Sequence, residues 1–320
     1  MKKYISMLEN YPIGMMGTGL GFVTLANVYA SQHVGFLRIY AIYFEIIAAI
    51  LMLSRFIIFP KSIWKDLKNP VAASFYGTID MGLFLVAAYY HDKFPSTTSG
   101  LWSFCVLLHC TFIVIYSFFR IKNHNFSEVV PSWFVTYVGI ATGTMTYLGL
   151  GNMEVAKIIA YFATFSYLVL YPFMLYKIFF KKIETSKITT VGIIGAPAAL
   201  VLGALMSICK DINVYFFWFL VVTLIFNILI AYYFAVKLFI KKFNPGLAAF
   251  TFPLAVSTLV TFKMVLYLKH HGMWGIGLFK TIGYIELIIA TIIIAYVIIS
   301  FFILFYQSAI KRNLVNRVDK

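Results

Sequence analysis

Residues 249–263 read AFTFPLAVSTLVTFK, an apolar run with a proline, Pro253, in its interior. Phe250 and Phe252 come just before that proline, and a lone lysine, Lys263, follows ten residues after it. Lipid offers no water to replace the backbone hydrogen bond that proline removes, so such a break sits where protein or a watery cavity surrounds it. The stretch therefore reads as a helix lining a path through a membrane, with one of its phenylalanines obstructing the path.

The rest of the chain fits a membrane setting. Of its 320 residues, 62% are hydrophobic and 12% charged, and the mean hydropathy is +0.90. Repeated apolar runs of about 20 residues identify a polytopic helical membrane protein. Ten segments are expected, roughly 11–30, 37–59, 71–90, 101–120, 131–150, 154–180, 188–208, 213–240, 245–268 and 284–308. Short connections leave residues 1–320 as one transmembrane domain with no soluble domain, so any chemistry belongs to the membrane region. The first segment has signal-peptide features, with Lys2 and Lys3 before it and Val28-Tyr29-Ala30 at its end. Its glycines and the interrupting Glu9 and Asn10 favour a retained helix.

The formal charge of +15 does not mark a nucleic-acid partner, because the basic residues sit in short loops between apolar runs. Nineteen of the 26 lysines and arginines fall at the two termini and the even-numbered connections. By the positive-inside rule both termini are expected in the cytoplasm. Cys105, Cys110 and Cys209 show neither metal-ligand spacing nor a disulfide pattern. No phosphate-binding glycine loop, zinc-binding helix or serine–histidine–aspartate set is present either, so an enzyme, a cofactor and a metal are not expected.

The glycines carry the internal repeat. Of the 20, fourteen lie in odd-numbered segments or at their ends, and none lies in the interior of an even segment. Pro12, Pro131, Pro197, Pro245 and Pro253 repeat the bias. Small residues also serve close helix packing, and for one helix alone that reading is the better one. The same bias in five hairpins points to an inner ring of five odd helices inside a belt of five even ones. Five parallel helices about 9 Å apart put their axes roughly 7.7 Å from the centre. Allowing for a Cα radius of about 2.3 Å and the backbone leaves a bore of roughly 3 Å radius, which one aromatic ring closes. Candidate lining positions on the odd segments are Gly14, Gly17, Gly21, Gly139, Gly143, Gly195, Pro197 and Pro253.

Five stretches, one per odd segment, resemble the tellurite-resistance/dicarboxylate transporter family, which includes the plant guard-cell slow anion channel and the bacterial tellurite-resistance channel. They are YPIGMMGTGLG (11–21), NPVAASFYGT (69–78), VPSWFVTYVG (130–139), TTVGIIGAPAALVLG (189–203) and AFTFPLAVSTLVTFK (249–263). The resemblance implies five hairpins around a pore, a homotrimer with one pore per subunit, and conduction of small anions such as chloride or nitrate. It implies a gating phenylalanine at Phe252, with Phe250 as the fallback, and a second constriction at Phe75 or Tyr76. The absence of long tails makes a bacterial protein, in the plasma membrane, the closer analogy. The alternative is a proton-coupled transporter for a C4-dicarboxylate, sulfite or tellurite-like oxyanion.

Ionisable residues inside the segments are functional suspects. Lys263 and Glu286 lie at similar depth on one hairpin and are read as an ion pair; the sharper alternative places Lys263 at the pore mouth, where it concentrates anions. Asp80 and His109 share a depth near mid-membrane and are expected to meet, as a structural pair or, in the transporter reading, as the proton-coupling site. Glu45 has Arg38 as a possible partner.

Overall fold

The computed structural model describes residues 8–123, 128–181 and 183–318, with side chains described as far as residue 307. The regular elements among them are all helical. In chain order these are α1 (Gly14–Ser31), α2 (Leu37–Ile58), α3 (Pro60–Lys68), α4 (Pro70–Phe75), α5 (Gly77–Tyr90), α6 (Pro95–Asn123), α7 (Trp133–Tyr137), α8 (Ala141–Met145) and α9 (Met153–Phe180). After them come a 3₁₀ stretch at Thr185–Gly195, α10 (Pro197–Ile208), α11 (Val214–Phe239), a second 3₁₀ stretch at Pro245–Phe250, α12 (Thr251–His270) and α13 (Ile276–Val318).

Eight helical stretches among the described residues are long and apolar enough to span a membrane. They divide by burial. Within an apolar 18-residue window of each, 78–83% is buried in Pro70–Tyr90, Thr185–Ile208 and Pro245–His270, against 28–33% in Leu37–Ile58, Pro95–Asn123, Met153–Phe180 and Ile276–Gln307. Val214–Phe239 stands between, at 50%. The two expected segments that fail the test belong to the buried class. Helix α1 is 18 residues long and diluted by four glycines, yet Met16, Leu20, Ala26 and Val28 are sealed in the core. The fifth segment is not one helix, because it breaks into the five-residue α7 and α8.

Buried stretches break and outer ones run on. Pro197 starts α10 where a 3₁₀ stretch ends, and Pro253 falls just inside α12 after another. Asn69 and Asn244 open two of these segments in the same way, Asn69 accepting from the N–H groups of Val71 and Ala72 and Asn244 from that of Gly246, each with proline as the next residue. A break in the backbone needs protein around it, and only the inner position supplies that. Helix α3, which the sequence reading passed over as a basic loop, lies between the second and third segments.

Candidate functional site

Three cavities follow one another through the chain. The first, about 800 Å³, opens beside the basic loops and includes Gly14, Arg55, Asp66, Val71, Phe75, Glu128, Glu184, Lys187 and Gly246 in its wall. The second, about 20 Å³, lies between Gly17, Phe75, Thr78, Met81, Phe134, Val135, Ile193, Pro197, Leu200, Ala248, Phe252 and Pro253. The third, about 250 Å³, lies among Thr24, Asn27, Arg38, Leu85, Tyr89, Thr142, Met145, Thr146, Leu200, Phe252, Val256, Leu259 and Lys263. Phe75 borders the first two, while Phe252 and Leu200 border the last two. The middle volume admits about one water molecule and no hydrated ion.

Helical spacing explains how α12 serves both sides. Phe252, Val256, Leu259 and Lys263 are four, three and four residues apart, so they share one face. All four border the third, outer cavity, and Lys263 therefore lies on the same stripe as Phe252. Phe252 is held from behind. A Cβ at Gly21 would come 2.8 Å from the backbone nitrogen of Phe252, so only glycine lets α1 approach so closely. The Thr251 hydroxyl donates to the carbonyl of Gly17 at 3.0 Å, tying the same point to α1.

The structure sorts the expected residues. Gly14, Gly17, Phe75, Pro197, Phe252 and Pro253 border the cavities. Gly21, Gly139, Gly143 and Gly195 do not: the missing side chains of the first three make room for the α12 backbone, Met81 and the Phe84 ring, while a Cβ at Gly195 would meet Ile228, Ala231 and Pro253 only at ordinary contact distances of 3.4–3.6 Å. Gly21, Gly139 and Gly143 therefore serve close packing, the reading that small residues take in any single membrane helix. Phe250 is fully buried against Gly192 and the Phe239 ring, away from the path. Tyr76 is fully buried and borders none of the three cavities; its hydroxyl donates to Asp66 at 3.0 Å and its ring packs on Phe56 and Phe112.

Two expected ion pairs are corrected. Lys263 borders the outer cavity, and no ion pair joins it to Glu286 among the described residues. Glu286 is buried on α13, and its Oε2 has no hydrogen-bond partner. Arg38 does not reach Glu45; it donates from Nε to Asn27 at 3.0 Å and lies over the Tyr89 ring. The Glu45 carboxyl instead occupies space left by Gly19 and Gly82, with neither oxygen hydrogen-bonded. Asp80 and His109 do meet, through Oδ2 and Nδ1. The other ring nitrogen of His109 lies 3.0 Å from the carbonyl of Thr136, so it donates there, linking the third, fourth and fifth segments. The Asp80–His109 pair is fully buried and borders none of the three cavities.

Charge is distributed unevenly along the path. In the first cavity Arg55 pairs with Asp66 at 2.8 Å and Lys187 with Glu184 at 2.8 Å, and Glu128 pairs with Arg120. The hydrogen bond and charge of Lys187 hold the Glu184 carboxyl below its ordinary pKa. The outer cavity has Arg38 and Lys263 in its wall and no aspartate or glutamate. Its Thr142 hydroxyl is buried and has no hydrogen-bond partner. Leu200 and Asn27 were missed at the level of sequence, and Arg38 was read there only as a partner for Glu45. Nothing separates Leu200 from its apolar neighbours except its place three residues after Pro197.

These features define a multi-pass helical membrane protein with buried, broken segments and a narrow cavity of about 20 Å³ between two larger ones. The chain belongs to the SLAC1 family, described as voltage-dependent anion channels, whose family model matches residues 10–302. That match agrees with the resemblance carried by the five motifs, and it supports anion channel or transporter function in general, not enzymatic function. No curated protein matches the chain.

Proposed function

We propose that the protein is a passive anion channel with one pore through each subunit, closed by the Phe252 ring, and that chloride or nitrate permeates. The five odd-numbered segments form the ring, and the even ones form the lipid-facing belt. The observation that carries this reading is the position of Phe252 at the 20 Å³ constriction, between a large vestibule and a chamber whose charged wall residues are both cations. An uncharged narrow bore under a positive field selects anions while binding them weakly enough to release them. Phe75 forms a second apolar step on the vestibule side.

A homotrimer in a bacterial plasma membrane, with both termini cytoplasmic, completes the proposal. Its support is the family resemblance and the bias of 19 of 26 basic residues toward one side. The proton-coupled alternative loses ground because Asp80 and His109 are closed off from the cavities.

Reversal potentials of the purified protein in planar bilayers test the channel reading. With opposed chloride and pH gradients, a channel follows the chloride gradient alone. A reversal potential that moves with pH would replace it by the proton-coupled transporter.

A further inference from the structure

Helix α3 is amphipathic in a way that the conduction path does not require. Ile63 and Leu67, four residues apart on one face, are buried. Lys61, Trp64, Lys65 and Lys68 are exposed on the opposite side, at spacings of three, one and three residues. Trp64 is 52% exposed and packs one edge on Phe119, while the Lys68 ammonium lies 5.7 Å over its ring. None of the three lysines makes an ion pair among the described residues. The end of α2 that leads into this helix exposes Ile57 and Ile58, and the end of α6 beside it exposes Phe118 and Ile121. Such apolar side chains belong in hydrocarbon, so the lysines stand where hydrocarbon ends, and an exposed tryptophan at that level marks the interface.

We propose that this face binds the headgroups of anionic phospholipids and that their binding sets the opening of the path. Three unpaired lysines at the bilayer surface complement phosphate charge, and the buried side of the same short helix reaches the vestibule. There Asp66 receives both Arg55 at 2.8 Å and the Tyr76 hydroxyl at 3.0 Å. Tyr76 directly follows Phe75, which borders the constriction. A headgroup that draws α3 toward the lipid therefore pulls, through Asp66 and Tyr76, on the segment carrying Phe75. The gating half rests on the channel reading above; the binding half does not.

The test reconstitutes the full chain in phosphatidylcholine vesicles doped with brominated phosphatidylglycerol or, at the same mole fraction, brominated phosphatidylcholine. Trp64 emission is taken as the difference between the protein and Trp64→Phe. Phosphatidylglycerol is expected to quench it about twofold more than phosphatidylcholine, and K61Q/K65Q/K68Q is expected to abolish that difference. Equal quenching by the two lipids overturns the site, whether or not anions flow. Inorganic phosphate in solution that erases the difference overturns the lipid assignment in favour of free phosphate. In parallel, chloride flux is expected to depend on phosphatidylglycerol content, and Tyr76→Phe is expected to keep the quenching but lose that dependence. A Tyr76→Phe protein whose flux still follows the lipid overturns the coupling. Flux absent in every lipid, with preferential quenching retained, refutes the channel reading and leaves the site standing.

Discussion

The two chambers on either side of Phe252 are built by the same segments and differ in how they treat charge. In the vestibule each of the five charged wall residues has a partner of opposite sign: Arg55 with Asp66, Lys187 with Glu184, and Glu128 with Arg120. In the outer chamber Lys263 has no ion pair among the described residues, and Arg38 spends its Nε on a neutral amide. A paired wall contributes little field beyond its own dimensions, whereas two uncompensated cations around a 250 Å³ space raise the local concentration of anions. In the proposed channel, the paired chamber gives wide, weakly selective access and the unpaired one gives selectivity, with Phe252 at the boundary of the constriction between them.

Removing the partition should have the largest effect. Phe252→Ala is expected to raise chloride conductance in bilayers, by on the order of tenfold for each ~1.4 kcal/mol that the ring adds to the barrier. Phe250→Ala tests whether the gain belongs to the position bordering the path. Because Phe250 packs against Gly192 and Phe239, its truncation is expected to destabilise the fold by roughly 3–5 kcal/mol, seen as a lower midpoint in thermal unfolding, without raising conductance. Equal currents from the two variants would refute the assignment of the gate to Phe252.

Charge reversal in the outer chamber comes next. Lys263→Glu is expected to lower the chloride-to-potassium permeability ratio, read from reversal potentials in a salt gradient, by about tenfold at low ionic strength. The change should shrink in high salt, because screening shortens the reach of a charge in a water-filled space. A ratio unchanged at both salt concentrations would remove Lys263 from the selectivity of the outer chamber.

Some of this arrangement was legible in the sequence and some was not, for identifiable reasons. Glycine and proline located the buried segments because only a protein-enclosed helix tolerates breaks, and the broken α7–α8 region follows that logic even though it fails as a continuous span. Depth matching also brought Asp80 to His109. What sequence did not supply was facing. An inner helix is apolar on every side, so no periodic stripe says which residues meet the path and which meet a neighbour. Gly17 and Gly21 look equivalent on paper, yet one borders the constriction and the other admits the backbone of Phe252. Lys263 and Glu286 were matched by depth for want of any angular information, and Lys263 turned out to share a stripe with Phe252. Arg38 was matched to Glu45 along its own helix because its actual partner, Asn27, belongs to the preceding helix and carries no charge.

The smallest effect is expected on the vestibule side. Glu184→Gln breaks the pair with Lys187 and leaves one more uncompensated positive charge in a cavity of about 800 Å³. Glu184 is largely exposed, so water and salt screen the change, and the chloride-to-potassium ratio should shift by less than about twofold. The sign still matters: a freed lysine should move the ratio toward chloride, opposite to Lys263→Glu in the outer chamber. Acidification should act on the same pair in the same direction, but only at a pH below the ordinary carboxylate range, because Lys187 holds Glu184 ionised further down than usual. A Glu184→Gln shift as large as that of Lys263→Glu would place selectivity in both chambers and end the division of labour between them.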